Sequence, residues 1–592
     1  MCGLSTLYRF TQVTEDDKHK LVQMSQEMRY RGPDGEGYWN DDTCAVAHTR
    51  LSIIGLGNGA QPLFNADKSL VLVCNGEIYN YKELRTQLAS KGYAFATDTD
   101  CEVILYLYEL YGTDCLQYLR GMFAFCLYDV KKKRLFAARD RVGEKPLYYA
   151  QLPTGVVFSS ELKAILKHYV EKPQLNAHAL AESMRYNFPI EQRQTFVEQI
   201  KRLRAGEYAI VDEKGVESHV YWERHVLSRF EGTKEDAKAE VVRLMRESVT
   251  QCLQSDVPVA VLLSGGVDSS AIASFAKETG KEIHTITAGY KGAYAQDERA
   301  VAKRFAKEKG LVYHEVELDA EDFKNYFEEY IPKLDEPVCD VSSMSQYALY
   351  KKAKELGFSV LLGGIGSDEL FYGYDVENEL ARRLKLRKQH QDFFPWKGME
   401  KKKDYLKFML KNLGFVLFAS YPVKLYDHHP ICWVYEDYRK FATNASLSIW
   451  GEDVDFSKLD VHHSYPVDAD LDTVYELMYS CFMRNLCLYL ADRLGMANSV
   501  EVRSPFVDYK FVEFVTSLPQ EMKYDGTPKG FYRECLRGVV PGYILDAPKR
   551  GFEPPWNFIR QMCNEYQPQL LKTEHKFFNS LLVDKLLCDL NK

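Results

Sequence analysis

The chain has 592 residues, of which 46% are apolar and 27% charged, with 76 basic against 84 acidic side chains for a net charge of −8. A length of this order holds roughly two to four domains, and 40 tyrosines with 32 phenylalanines supply enough aromatic surface for packed cores to exclude disorder as the main state. The acidic balance excludes a general nucleic-acid binder, which is basic, and no apolar run approaches the roughly 20 residues of a membrane helix.

Residues 1–212 read as one α+β unit rich in strands. Val71–Cys74 is a β-like run ending at the turn signal Asn75-Gly76. Phe123–Tyr128 and Leu135–Ala138 read as a strand pair across the polar turn Asp129–Arg134, and Leu147–Tyr149 and Val156–Ser159 flank a Pro-Thr-Gly turn. Amphipathic helices are expected at Tyr81–Lys91 and Asp100–Tyr111. Residues 213–235, polar between Trp222 and Lys234, read as a linker.

A different rhythm follows over 236–592. Lys238–Leu253, Ser270–Lys277, Asp297–Lys309 and Tyr347–Glu355 have helical spacing, and between them lie the apolar strand runs Val257–Leu263, Ile283–Thr287, Val312–Leu318 and Phe358–Leu362. Strands alternating with helices predict an α/β doubly wound, parallel sheet, with helical additions from Tyr374 to Asn485, where no motif stands out. The 14 cysteines are scattered, without C-x-x-C, and read as reduced thiols of a cytoplasmic protein. The N-terminus has no charged region followed by an apolar one, so it does not read as a secretory signal. The basic runs Lys131–Arg134 and Lys401–Lys403 read as solvated faces.

The sharpest local signal is Val259-Ala-Val-Leu-Leu-Ser-Gly-Gly-Val-Asp-Ser-Ser270, a buried strand running through Ser264-Gly265-Gly266 into a helix. Small residues let the backbone approach an anion, and the helix N-terminus adds free N–H groups and partial positive charge. Asp268 can hold Mg²⁺ against phosphate charge. By itself a strand–glycine–helix turn is also an ordinary structural feature. It is no Walker A loop, because no G-K-[ST] is present. A second loop, Gly363-Gly-Ile-Gly-Ser-Asp-Glu369, also follows an apolar strand and would emerge on the same edge of a parallel sheet, facing Asp368 toward Asp268. Charge complementing a helix N-terminus is the plainer account of Asp368 and Glu369.

Cys2 becomes the first residue if Met1 is removed, and its free α-amino group, with a pKa of about 7.7–8.0, can then act as an intramolecular base for the thiol. A chance cysteine at this position is the default. Other residues change the balance: Arg50 opens the apolar run Arg50-Leu-Ser-Ile-Ile54, Asn75 and Gly76 offer an amide and an N–H for an oxyanion, and Asp100 can hold an ammonium group. Arg for carboxylate, Asp for amine and Cys for attack describe a site for an amino acid carrying an amide.

With these residues in view, the chain resembles the glutamine-hydrolysing asparagine synthases over nearly its whole length. M-C-G, R-G-P-D, R-L-S-I-I, N-G-E-I-Y-N, Arg139–Tyr148 and Phe158–Lys163 resemble class II glutamine amidotransferases of the N-terminal-nucleophile (Ntn) hydrolase fold. Leu262–Ser270 is similar to the pyrophosphate loop of the ATP-pyrophosphatase superfamily, and Asp335-Glu-Pro337, Asp492-Arg493, Val500–Asp508 and Lys549-Arg-Gly-Phe552 continue the resemblance in order. It implies an α+β Ntn layer sandwich followed by an ATP-pyrophosphatase domain, with ATP and Mg²⁺ as cofactors. The chemistry implied is adenylation of a carboxylate and transfer of ammonia to it through an internal tunnel. Cys2 is then the nucleophile. Arg50, Leu51, Ser52, Ile53, Ile54, Asn75, Gly76, Glu77 and Asp100 hold glutamine, with Asn75 and Gly76 forming the oxyanion hole. Leu262, Ser264, Gly265, Gly266, Asp268, Ser269, Ala288, Gly363 and Gly364 contact ATP, Asp268 and Asp368 the metal, and Lys529 the pyrophosphate.

One position departs from the family's S-G-[ED]-G-x-D-E loop. Ile365 stands where the pattern is acidic, and Gly363 replaces its serine. The departure bears on the acceptor and on the last proton transfer, for which Asp335 and Glu336 are the nearest carboxylates by motif. Aspartate is the first acceptor to consider, and a sugar uronate of a surface polysaccharide precursor is the second. A glutaminase with a decayed synthetase half, a scaffold and a β-lactam-forming relative are the readings of other classes. The partners expected are small molecules, with no nucleic acid and no membrane. The oligomeric state stays open, a homodimer included.

Overall fold

In the computed structural model, which describes residues 2–224, 229–292, 294, 297–338, 340–374, 475–549, 551–566, 581–582 and 585–586, twelve strands precede residue 221. They are β1 (Gly3–Arg9), β2 (Gly35–Asn40), β3 (Cys44–Arg50), β4 (Leu63–Phe64), β5 (Leu70–Ile78), β6 (Gly121–Asp129), β7 (Arg134–Arg139), β8 (Tyr148–Leu152), β9 (Gly155–Ser159), β10 (Ile200–Arg202), β11 (Glu207–Asp212) and β12 (Gly215–Val220). They form two antiparallel six-stranded sheets, ordered β10-β8-β9-β1-β3-β2 and β12-β11-β7-β6-β5-β4.

Side-chain alternation decides how these sheets stack. Val71 and Val73 of β5 and the small Ala124 and Cys126 of β6 pack against Leu4, Val46 and Phe158 of the first sheet. Their neighbours Leu72, Phe123, Phe125 and Leu127 face the helices Tyr81–Ser90 and Val103–Tyr111 on the other side. On the outer face of the first sheet, Leu7, Ala45 and Val157 pack against Leu21 and Met24 of the helix Glu15–Glu27 and Ile165 of Leu162–Tyr169. The result is a helix–sheet–sheet–helix sandwich, the layering expected from sequence.

Strand β12 lies inside the segment read as a linker. It is an edge strand paired only with β11, its residues are at least partly exposed, and such a strand carries the polar composition of a linker. The helix expected from Asp100 begins with a 3₁₀ turn, Asp100–Glu102, before the α-helix.

The C-terminal half contains a parallel sheet, ordered β15-β14-β13-β16-β17, from β13 (Val259–Leu262), β14 (His284–Tyr290), β15 (Val312–Leu318), β16 (Val360–Leu362) and β17 (Glu501–Arg503). Val261 faces the helices Lys234–Cys252 and Val267–Glu278, while Ala260 and Leu361 face Ser343–Glu355 and Tyr489–Ala497. Strand order reverses direction at β13, so the loops after β13 and β16 leave neighbouring strands at the switch point, where such sheets bind ligands. Of the helical additions expected over 374–485, residues 375–474 lie outside the described residues. The part that is described is a π-helical segment, Met478–Leu488, running directly into Tyr489–Ala497.

Candidate functional site

The first site is built where β1 begins. Cys2 is buried, its N–H donates to Asn75 Oδ1 at 3.0 Å, and its carbonyl accepts from Arg31 Nε at 3.1 Å. Its Sγ lies 4.0 Å from the Leu51 carbonyl. Burial pushes the thiol up to about 11, so ionisation at neutral pH calls for a base beside it. Asn75 spends its oxygen on Cys2 and leaves Nδ2 buried with no hydrogen-bond partner among the described residues, a donor that a ligand oxygen could take. Gly76 is next on β5, and a Cβ there would meet the Met122 carbonyl oxygen at 2.2 Å, so only glycine fits.

The remaining residues expected around glutamine divide into two groups. Arg50 Nη2 donates to the carbonyls of Ile54 at 3.2 Å and Gly55 at 2.7 Å, which curls residues 50–55 into a loop and fixes the guanidinium at its base. Asp100 is buried and accepts from the Ile78 N–H at 2.5 Å, and burial raises its carboxyl. Glu77 faces Arg503 at 3.5 Å, and burial followed by the Asp100 charge pushes it well above the ordinary carboxylate range. Ser52 N–H donates to Asp34 at 2.7 Å. Leu51, Ile53 and Ile54, however, bury their side chains against Val360 and Met496 of the C-terminal half. What they can offer a ligand is backbone; the side chains close the contact between halves.

The second site is a cavity of about 300 Å³ at the C-terminal ends of β13, β14 and β16. Leu262, Ser264, Asp268, Ser269, Ala288, Gly363 and Gly364 all line it. Gly265 and Gly266 shape the loop rather than line the cavity. Gly265 has φ +84°, the Gly266 N–H donates to Ser264 Oγ at 3.2 Å, and Ser264 N–H donates to Ser269 Oγ at 3.2 Å, which aims the start of the helix Val267–Glu278 inward.

At one end of the cavity charges converge. Lys529 Nζ lies 2.6 Å from Asp268 and 2.9 Å from Asp368. Lys549 also donates to Asp368, and to the Gly373 carbonyl at 2.7 Å. Ser367 Oγ donates to the second oxygen of Asp268 at 2.6 Å. Burial alone would raise the Asp368 carboxyl, but Lys529 and Lys549 hold it down to about 2. Burial would lower Lys529, and the two aspartates reverse that. Lys529 also sits at φ +55°, a conformation costly for a side chain with Cβ and found mostly where function requires it. Two carboxylates already bridged by an ammonium group are hard oxygen donors at a point that favours a cation, which fits Mg²⁺. No group of three or more His, Cys, Asp or Glu that could hold a metal occurs among the described residues, so phosphate oxygens and water would complete such an ion's shell.

Ile365 lines this cavity. Asp335 and Glu336, expected beside it, are elsewhere. Asp335 pairs with Arg493 at 2.7 Å and accepts from the Leu162 and Lys163 N–H groups, while Glu336 pairs with Arg202. A sequence motif does not say which face of a turn its carboxylates take. Among the carboxylates that line the cavity with Ile365 is Glu369, which accepts from Tyr374 Oη at 2.7 Å and the Gly366 N–H at 3.1 Å, and which burial and the Asp368 charge push up to about 7. Sequence reasoning gave Glu369 only the role of charge at a helix N-terminus, and none to Ser367, Tyr374 or Lys549. The K-R-G-F motif was the available signal for Lys549, and Phe552 from the same motif stands partly exposed in the cavity lining.

Residues 1–222 match the family model described as glutamine amidotransferase domain, and residues 240–592 the one described as asparagine synthase. The chain is 31% identical to "Asparagine synthetase [glutamine-hydrolyzing] 1" of Bacillus subtilis (strain 168), over 97% of this chain and 90% of that protein. It is 30% identical to "Asparagine synthetase [glutamine-hydrolyzing] 3" of the same organism, over 92% and 86%. It is 28% identical to "Amidase chyE" of Penicillium rubens, over 94% and 89%.

Proposed function

The chain belongs to the asparagine synthase family, with a glutamine amidotransferase domain ahead of the synthase domain, and from that premise we propose a reaction divided between the two sites. The protein is a carbon–nitrogen ligase that takes its nitrogen from glutamine. At the first site Cys2 attacks the side-chain amide of glutamine. Asn75 Nδ2 and the Gly76 N–H receive the oxyanion, Arg50 takes the α-carboxylate and Asp100 the α-ammonium group. The α-amino group of Cys2, freed by loss of Met1, takes the thiol proton and passes it to the leaving nitrogen; the C–N bond breaks, ammonia leaves, and water hydrolyses the thioester to release glutamate and restore the thiol.

At the second site the Ser264–Ser269 loop holds the phosphates of ATP. The acceptor carboxylate attacks the α-phosphorus, the bond to pyrophosphate breaks, and Lys529 and Lys549 meet the departing charge. Asp268 and Asp368 would hold Mg²⁺, which would neutralise phosphate charge there. Ammonia then attacks the acyl carbon and AMP leaves. The observation that carries this reading is the convergence of two lysines on two aspartates at the end of a glycine-lined cavity. The same intact cluster speaks against a decayed synthetase half.

We take L-aspartate as the acceptor, giving asparagine, AMP, pyrophosphate and glutamate, on the strength of the relatives named above. A second reading keeps the chemistry and changes the carboxylate, to a sugar uronate for example. It is favoured by Ile365, an apolar side chain where the family's loop is acidic. ATP–pyrophosphate exchange across a panel of carboxylates separates them. Exchange driven by aspartate is expected; exchange with another carboxylate alone replaces the acceptor, and none with any carboxylate overturns adenylation. Among the described residues no helix is long and apolar enough to cross a membrane, and we place the reaction in the cytoplasm.

A further inference from the structure

One short helix, Tyr489–Ala497, touches both sites. Residues 492, 493 and 496 share a face by their spacing, and that face meets the N-terminal half. Asp492 accepts from both terminal nitrogens of Arg31, each at 3.0 Å. Arg493 pairs with Glu161 at 3.0 Å, and Met496 packs against Leu51, Ile53 and Ile54. Leu490, near the start of the helix, lines the nucleotide cavity.

The Arg31–Asp492 pair is closed to solvent, with side-chain exposures of 0% and 3%. A two-pronged guanidinium–carboxylate contact fixes the guanidinium plane. Arg31 Nε then points at the carbonyl oxygen of Cys2, 3.1 Å away. The backbone of the nucleophile is thus held by an arginine whose shorter, two-pronged contact comes from the other half of the chain, 461 residues away in sequence, with Glu161 of its own half farther off at 3.4 Å.

We propose that Asp492 is a positioning residue of the glutamine site, contributed by the synthetase half: through Arg31 it fixes the Cys2 backbone, and with it the thiol, opposite Asn75. The inference rests on Cys2 hydrolysing glutamine as set out above. It differs from simple adhesion between halves in what it affects, since adhesion serves both activities and positioning serves one.

The test is steady-state glutamine hydrolysis, with ammonia-dependent amide formation measured in parallel, in the full-length Asp492→Asn protein. Glutaminase kcat should fall roughly 10²-fold, the scale of a misplacement of about 1 Å. KM for glutamine should stay near the parental value and ammonia-dependent turnover should be retained. If the parent itself does not hydrolyse glutamine, or does so equally as Cys2→Ala, it is the glutaminase reading that fails. If the parent does and Asp492→Asn matches it, or if both activities fall by the same factor, the positioning role is overturned.

Should Asp492→Asn fail to fold, the double variant Arg31→Met, Asp492→Leu leaves no unpaired buried charge and is read in the same way. A second readout is the alkylation rate of Cys2 by iodoacetamide, followed by intact mass, which needs neither substrate nor nucleotide. A rate changed from the parent is expected, and an unchanged rate overturns the proposal.

Discussion

Replacing Glu161 with glutamine perturbs the centre of the contact between the two halves. The Glu161 carboxylate accepts from Tyr30 Oη at 2.6 Å and pairs with Arg493 at 3.0 Å, Lys163 at 3.3 Å and Arg31 at 3.4 Å, with no exposed side-chain surface. Burial pushes this carboxyl up, but Lys163, Arg493 and Arg31 outweigh burial and hold it at about 2, against an ordinary 4.5. Asp335 shares Arg493, and burial pushes its carboxyl up.

The depression of Glu161 is worth about 3 kcal/mol of folding stability, in line with the roughly 3–5 kcal/mol cost of breaking a buried ion pair. Because the folded value lies below the unfolded one, this stabilisation is fully present above about pH 4.5 and is lost as pH falls toward about 2. Urea unfolding followed by tryptophan fluorescence at stepped pH measures it. Glu161→Gln should be less stable than the parent by about 3 kcal/mol near pH 7, and the gap should narrow below about pH 4.5. A variant as stable as the parent near neutrality, or a gap independent of pH, refutes the reasoning.

Asn75→Ala should lower glutaminase kcat by roughly 10²–10³-fold, the cost of one oxyanion donor, while ammonia-dependent amidation continues; a near-parental kcat would remove Asn75 from that role. Lys529→Met and Lys549→Met should each cut amidation roughly 10²-fold, whether glutamine or ammonia supplies nitrogen. Glutamine hydrolysis should survive in both, and loss of both activities together would point to misfolding instead. Ile365→Glu should raise aspartate-dependent turnover, since general-base assistance is worth roughly 10²–10⁴-fold. Efficient asparagine formation by the parent, unchanged in the variant, would detach position 365 from acceptor choice.

The sheet patterns and the strand–loop–helix turn at Ser264–Ser269 were legible in sequence because their determinants are local. The unbroken apolar runs Val71–Cys74 and Phe123–Tyr128 report strands buried on both faces, and a strand entering Ser264-Gly265-Gly266 reports a tight turn into a helix. Lys549 on Asp368, 181 residues apart, and Asp492 on Arg31 were not legible, because nothing local specifies a pairing at such separation. Leu51, Ile53 and Ile54 show a different limit. An apolar run reports burial but not what buries it, and here the partners are Val360 and Met496 of the other half. By motif Asp335 and Glu336 were the nearest candidates for the last proton transfer; the geometry gives them to Arg493 and Arg202 at the contact between halves.

The most direct test of a two-site amidotransferase is isotope transfer with product analysis. Purified protein receives glutamine labelled with ¹⁵N in its amide, ATP, Mg²⁺ and aspartate. The expected result is ¹⁵N in the amide of asparagine, with AMP and pyrophosphate formed together. Cys2→Ala should transfer no label yet still form amide from free ammonia. ADP and phosphate as the nucleotide products, or label transfer that persists without Cys2, would contradict the account.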